Sequence, residues 1–220
     1  MKNLFLVLLV TVTSLQTKAQ APTAVVDYTV KLDEVAVLKT DKKELQISDS
    51  KKRFFLPEPQ TTSWMLGRKF ESQGDFKQLK KVIFYTKSAV DKGVCKVRVF
   101  AMGSDGLPAE SLLTEDVIIE VRKGKQKVAI DLSKYNIQLP ENGIVVAFES
   151  LVLEQNKYFQ KATNPKAKER IAILNYAPHI TYFHNPEKEC YVYRNGKWTY
   201  NAANVIRNHP IPAIDIIITN

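Results

Sequence analysis

The sequence contains few of the residues from which catalytic and metal centres are commonly built. Its 220 residues include only 8 glycines, 3 histidines and 2 cysteines. This supply is too small to favour a glycine-rich phosphate loop, a multi-histidine metal centre or a disulfide framework. The motifs of serine hydrolases, zinc proteases, P-loop NTPases and dinucleotide-binding enzymes are also missing. We therefore predict a protein that is not an enzyme and that uses neither a cofactor nor a metal.

Two further kinds of site, a histidine metal site and a catalytic carboxylate pair, have only weak support in the sequence. His179 and His184 are five residues apart, so an extended strand would point them to opposite faces, which argues against a shared metal. Asp131, Glu149 and Glu154 could supply a carboxylate pair for hydrolysis of a polysaccharide, although their spacing gives no support for it. For Asp131 the sequence favours a local role, in which its carboxylate accepts backbone N–H groups after a strand.

Only one long hydrophobic run is present, and it lies at the N-terminus. Lys2 precedes an apolar stretch over residues 4–10, which small and polar residues follow. This pattern predicts a signal peptide over residues 1–19, cleaved after Ala19, because the apolar stretch is well short of the ~20 residues that a membrane span needs. No cysteine precedes Cys95, so lipid attachment to an N-terminal cysteine is not expected. The leader contains two basic residues and no acid, so the formal charge falls from +9 to +7 on cleavage.

The remaining chain has the composition of one globular domain, and its hydrophobic period is two. Hydrophobic residues make up 45% of the sequence and charged residues 25%. Short alternating segments separated by turn residues predict a jelly-roll-like antiparallel β-sandwich over residues 60–220. Residues 20–59 are predicted to add strands and a basic loop to the same domain. Helical turns are predicted only near residues 109–114 and within 156–170. The candidate strands are residues 28–32, 63–70, 79–85, 95–102, 117–121, 125–131, 144–151, 171–174, 180–183, 191–194, 197–201 and 213–219.

The clearest local prediction is a β-hairpin at Asn195-Gly196. Alternating segments flank this dipeptide on both sides. A two-residue hairpin turn requires positive φ at both positions, and Asn-Gly adopts that conformation at low cost.

Strand alternation also points both cysteines toward the core. Cys95 lies in phase with Val97 and Val99, and Cys190 lies in phase with Val192. Because an exported protein meets an oxidising compartment, a Cys95–Cys190 disulfide is one interpretation. Two buried, inert thiols are the other.

Two segments, residues 39–53 and 157–170, are rich in lysine and arginine. Such runs usually form solvated faces. The alternative is a docking patch for an anionic partner such as an acidic glycan, lipid headgroups or a surface polymer. No nucleic-acid-binding motif is present, so nucleic acid is not a predicted partner.

Several strand and turn segments resemble a known secreted bacterial module. They are Leu-Gly-Arg-Lys-Phe at 66–70, Leu-Lys-Lys-Val-Ile-Phe-Tyr at 79–85, Lys-Val-Arg-Val-Phe at 96–100, Asp-Gly-Leu-Pro at 105–108 and Val-Ala-Ile-Asp-Leu-Ser-Lys-Tyr-Asn-Ile at 128–137. Together they look like the β-sandwich module that commonly follows a carboxypeptidase-regulatory-like domain in exported proteins of gram-negative bacteria. The resemblance covers residues 60–219 and implies no assigned activity. Residues 20–60 are too few for the regulatory domain that longer members carry.

A row of aromatic residues is the main functional indication. Tyr191, Tyr193, Trp198 and Tyr200 flank the hairpin turn in phase with one another. They could form a platform for sugar rings, a protein-binding face, or cross-strand pairs that hold the hairpin.

We therefore predict an exported, non-catalytic binding or accessory module at the cell envelope, with a glycan or an envelope protein as its partner. Its predicted location is the periplasm, the outer-membrane surface or the medium, with no transmembrane segment after cleavage of the leader. A structural or surface-assembly protein is the first alternative, and a polysaccharide hydrolase is the second.

Overall fold

The computed structural model describes residues 42–49, 52–56, 62–163, 170–185, 188–201 and 210–220. The predicted signal peptide and the candidate strand at 28–32 lie outside these ranges. The chain divides into two units, Met1–Thr40 and Asp41–Asn220, and every described residue belongs to the second.

Strands make up most of the described part of the chain. Two short 3-10 turns, Ser133–Tyr135 and Glu154–Asn156, interrupt them. The strands are β1 (Glu44–Ile47), β2 (Trp64–Phe70), β3 (Gln78–Ser88), β4 (Gly93–Met102), β5 (Pro108–Ser111), β6 (Val117–Val121), β7 (Gly124–Asp131), β8 (Ile144–Ser150), β9 (Lys157–Thr163), β10 (Arg170–Tyr176), β11 (His179–Ile180), β12 (Tyr182–His184), β13 (Cys190–Arg194), β14 (Lys197–Asn201), β15 (Pro210–Pro212) and β16 (Ile214–Thr219).

Two antiparallel sheets enclose the main core. The five-stranded sheet has the order β1-β16-β3-β7, and β11 pairs with β3 just beyond the first residue of β16. The seven-stranded sheet has the order β14-β13-β2-β8-β4, with β5 and β6 sharing the outer edge of β4. Two-stranded pairs, β9 with β10 and β12 with β15, complete the fold. The predicted all-β antiparallel sandwich is confirmed.

Strand alternation explains how the core is filled. On β4, Cys95, Val97 and Val99 are fully buried, whereas the intervening Lys96 and Arg98 point away from the core. Between the sheets, the rings of Phe84 and Phe148 meet edge to face with centroids 5.5 Å apart. Full burial of such side chains contributes about 1.5–3 kcal/mol each.

Several local predictions were wrong. No helical turn forms near residues 109–114, because residues 108–111 form strand β5. In the second predicted helical region, residues 157–163 form strand β9, and residues 164–169 lie outside the described residues. The strand predicted at 180–183 is split at Thr181, whose backbone N–H and hydroxyl both donate to the carbonyl of Tyr85. This double anchor lets the chain leave the five-stranded sheet there and continue as β12.

The cysteines point inward, as predicted, but no disulfide joins them. Cys95 pairs with Ser150 of β8, and Cys190 pairs with Arg68 of β2, which lies beside Val146. Strands β4 and β13 are three strand spacings apart, about 14 Å, whereas a disulfide needs Cα atoms within about 7 Å. Burial raises the pKa of the Cys95 thiol, which keeps it protonated and unreactive.

The seven-stranded sheet curls toward the face that points away from the main core. Phe100 on β4 and Trp198 on β14 have ring centroids 5.2 Å apart. In a flat sheet these strands would lie about 19 Å apart. Gly67, between them on β2, leaves room for the curl, because a Cβ atom there would lie 2.5 Å from a methyl carbon of Val145.

One buried arginine anchors the segment after β1 to the sandwich. Arg68 is 2% exposed, donates to the carbonyl of Ile214 at 2.7 Å and pairs with Asp49 at 2.6 Å. The rings of Phe70 and Phe183 flank its guanidinium group. Burial lowers the pKa of Arg68, while the charge of Asp49 opposes that effect.

Candidate functional site

The predicted hairpin is present, and its four aromatic residues share one face. Asn195 and Gly196 have φ values of 53° and 79°, as a two-residue turn requires. Tyr191 lies opposite Tyr200, and Tyr193 lies opposite Trp198. Their ring centroids are 5.7 Å and 5.2 Å apart, respectively. We call these four residues the aromatic face.

Members of the aromatic face differ in accessibility. Tyr191 is 2% exposed, and its hydroxyl donates to Glu189 at 2.7 Å. Trp198 is half-buried against the edge of Phe100, and Tyr193 is half-buried as well. Tyr200 is 46% exposed. Tyr191 therefore supports the face from beneath, and Tyr200 offers the most surface to a ligand.

A cavity of about 260 Å³ is linked to this face through Glu189, although none of the four aromatic residues lines it. Glu189 belongs to its wall and also accepts the Tyr191 hydroxyl hydrogen bond. Six polar side chains line the cavity, which we call the polar cavity: Arg68, Lys69, Glu71, Gln73, Lys188 and Glu189. Sequence reasoning missed them, although strand alternation places Lys69 on the same side of the sheet as the aromatic residues.

Three cationic and two anionic side chains line the polar cavity, and the Arg68 cation is paired with Asp49. Lys69 and Glu71 form an ion pair at 2.8 Å, which raises the pKa of Lys69 and lowers that of Glu71. Burial, together with the hydrogen bond to Glu189, raises the pKa of the Tyr191 phenol. At neutral pH the Lys69–Glu71 pair is therefore ionised and the Tyr191 phenol is neutral, a combination of donors and acceptors that suits a ligand with many hydroxyl groups.

The basic segments behave differently from each other. In the first basic segment, residues 39–53, Arg53 stacks on the ring of Tyr85, with its guanidinium carbon 3.4 Å from the ring centroid. In the second basic segment, residues 157–170, Lys157 pairs with Glu154 at 3.2 Å and Lys161 is exposed. Lys166 and Lys168 lie outside the described residues.

The three candidate carboxylates do not meet. Asp131 accepts the backbone N–H of Ser133 at 2.9 Å, which confirms its local role. Glu149 lies on β8 and pairs with Arg98 at 2.6 Å. Glu154 lies in a 3-10 turn.

The histidines lie in different environments. His179 is buried on β11, and its Nε2 is 2.8 Å from the hydroxyl of Tyr158. His184 is exposed on β12 and stacks on Phe54 with ring centroids 4.2 Å apart. No group of three or more His, Cys, Asp or Glu side chains suited to a metal occurs in the part of the chain that the structure describes.

The burial of His179 predicts a loss of stability in acid. Burial, aided by the charge of Lys87, lowers its pKa from 6.5 to about 4. The neutral ring therefore stabilises the fold above pH 6.5, and this contribution disappears as the pH falls toward 4. Between about pH 7.5 and 4.5 we expect the wild-type protein to lose about 2–3 kcal/mol more than His179→Gln in urea unfolding. Equal losses in the two proteins would contradict the assignment.

Comparisons with known proteins show only a distant structural likeness. No family model matches this chain, and no curated protein matches it by sequence. A structure of the clostridial cysteine protease Cwp84 after propeptide cleavage is 15% identical, with a TM-score of 0.43 over 82% of this chain and 40% of that one. The cysteine protease and lectin-like domains of Cwp84, a surface layer associated protein of Clostridium difficile, are 15% identical, with a TM-score of 0.42 over 72% of this chain and 32% of that one. The chain thus spans less than half the length of either structure.

A search for membrane-spanning helices gave a negative result. Among the residues placed by the structure, no helix has both the length and the hydropathy to cross a bilayer.

Proposed function

We propose that this protein is a non-catalytic carbohydrate-binding module of the cell envelope. In this proposal a sugar ring packs on Tyr200 and Trp198 while its hydroxyl groups reach the polar cavity. The apolar C–H face of a sugar suits an aromatic surface, and its hydroxyls need charged or polar partners. Export to the envelope rests on the predicted leader peptide and on the resemblance to a secreted module.

The observation that carries the proposal is the double role of Glu189. Its carboxylate lines the polar cavity and also holds the hydroxyl of Tyr191, directly beneath the aromatic face. Glu189 and Tyr191 therefore connect the stacking surface to the hydrogen-bonding groups. Small-molecule sites combine an apolar or aromatic wall with a few convergent polar groups in this way.

The rigidity of the platform gives further support. Trp198 contacts both Tyr193 and Phe100, with centroid distances of 5.2 Å in each case. Two-sided packing fixes the indole ring before any ligand arrives, so little side-chain entropy is lost on binding.

Tyr200→Ala tests the proposal on a glycan array and then by calorimetry with the best oligosaccharide. Loss of the stacking ring should weaken binding by about 1–2 kcal/mol, equal to about 5- to 30-fold in Kd. Because Tyr200 is 46% exposed, we expect the unfolding free energy to fall by less than about 1 kcal/mol.

Phe159→Ala is the matched control, because this ring is 65% exposed on a different hairpin. It should leave carbohydrate binding unchanged. Absence of binding by the wild-type protein to every neutral glycan, or equal binding by both variants, would refute the proposal.

A second candidate function, surface assembly, has one observation in its favour. The β9–β10 hairpin exposes 65% of Phe159 and 41% of Ile171. Exposed apolar side chains on a two-stranded hairpin are suited to protein contacts. If this function holds, Phe159→Ala should abolish co-purification with envelope proteins, whereas Tyr200→Ala should not.

A further inference from the structure

The five-stranded sheet has its own groove on the face that points away from the core. Two cavities, of about 280 and 300 Å³, adjoin each other and share Phe55 in their walls. We call them together the cationic groove. Six of its side chains carry the argument: Arg53, Phe55, Tyr85, Lys87, Lys125 and Lys127.

Positive charge in this groove is uncompensated. Lys87 on β3 lies directly opposite Lys125 on β7, a like-charge arrangement that costs stability. Farther along the same two strands, Lys81 lies opposite Asp131, so this strand pair can place opposite charges across from each other. No carboxylate lines either cavity among the described residues, and no ion pair involving Lys87, Lys125 or Lys127 is formed within them.

Aromatic rings hold the cations in place. Arg53 lies over Tyr85, and Lys127 approaches the same ring at 5.9 Å. Lys87 lies over Phe55, with its ammonium nitrogen 4.3 Å from the ring centroid. The hydroxyl of Tyr85 is fixed in turn by the buried carboxylate of Asp215 at 2.9 Å. Cation–π contacts of this kind orient charged groups without neutralising them.

We propose that the cationic groove is a second binding site, for an acidic polysaccharide whose sugars carry carboxylates. The groove is elongated, and its cations lie along it rather than at one point. Lys125 and Lys127 are separated by one residue on β7, about 7 Å apart along the strand. Successive cations therefore fit a chain with repeated negative charges, and the planar guanidinium of Arg53 matches a carboxylate.

A polysaccharide fits this groove better than a membrane does. Peripheral membrane proteins insert apolar side chains beyond the headgroups. Here Phe55 and Tyr85 are half-buried beneath Lys87 and Arg53 instead of projecting outward. The site is independent of the aromatic face, which lies on the other sheet, so either proposal can fail alone.

Lys125→Glu is the most informative variant. It replaces the like-charge pair with an ion pair to Lys87, so we expect a higher Tm together with at least about tenfold weaker binding of polygalacturonate in calorimetry at low salt. A merely structural lysine would not give this combination. Lys77→Gln/Lys197→Gln removes two exposed charges outside the groove and serves as the control, with binding expected within about twofold of the wild-type value.

Three ligands distinguish the possible partners at one fixed pH. The proposal predicts that the wild-type protein binds polygalacturonate, that neutral galactan does not compete for the groove, and that phosphatidylglycerol vesicles bind more weakly than polygalacturonate. Tighter binding to the vesicles than to polygalacturonate would overturn the proposal in favour of a membrane surface. Equal polygalacturonate affinities for Lys125→Glu and the control variant would overturn it as well.

Discussion

Asp49→Asn is expected to lower the unfolding free energy by about 3 kcal/mol, the low end of the range for breaking a buried ion pair. The substitution keeps the size of the side chain but removes the charge that offsets Arg68. Arg68 is only 2% exposed and cannot reach water. Asp49 is 14% exposed, so the loss of stability should lie at the low end of that range. Urea unfolding at neutral pH, followed by circular dichroism, measures the effect.

A hydrophobic replacement of both partners separates charge from packing. Arg68→Met/Asp49→Leu removes both members of the ion pair, and such replacements are often neutral or stabilising. The buried carboxylate of Asp215 loses the attraction of Arg68 in this variant, which offsets part of the gain. We expect this double variant to be more stable than Asp49→Asn. If Asp49→Asn stays within about 1 kcal/mol of the wild-type protein, Arg68 is not the anchor that we describe.

Gly67→Ala is expected to cost about 2 kcal/mol and to open the curl of the seven-stranded sheet. The new methyl group would lie 2.5 Å from the Val145 side chain, which is itself fully buried and cannot move aside freely. Overpacking of this kind typically costs 1–3 kcal/mol. The shift should also separate Phe100 from Trp198 and raise the solvent exposure of the indole. Urea unfolding measures the cost, and tryptophan fluorescence in a Trp64→Phe background reports the change at Trp198.

Gly67→Ala/Val145→Ala provides the matching rescue. Shortening Val145 removes the clashing methyl groups, so the double variant should regain the wild-type Trp198 fluorescence, although it still lacks part of the Val145 packing. If the single variant already shows wild-type fluorescence and stability, the curl does not depend on a glycine at this position.

Local alternation explains why much of the fold could be predicted. Strands β6 and β14 begin and end where the pattern places them, and the Asn195-Gly196 turn has the expected backbone. Short or atypical edge strands escaped prediction because their sequences lack that pattern. Strand β15 is Pro-Ile-Pro, and β1 has only four residues. Edge positions tolerate proline and short length because one side of the strand needs no partner.

The sites were harder to predict than the strands. Tyr191, Tyr193, Trp198 and Tyr200 are close in sequence, so strand alternation alone placed them together. The polar cavity joins Lys69 of β2 to Glu189, about 120 positions later in the sequence, and only the sheet order brings them together. The cationic groove likewise combines Arg53 with lysines of β3 and β7. Nothing local to these residues reveals that they meet.

Mapping of amide chemical shifts during titration with a neutral oligosaccharide tests the central claim most directly. We predict saturable changes at Trp198, Tyr200, Lys69 and Glu189, and none at Lys87, Lys125 or Lys127. Changes confined to the cationic groove, or no saturable change at any residue, would contradict the assignment of the aromatic face and polar cavity as a carbohydrate site.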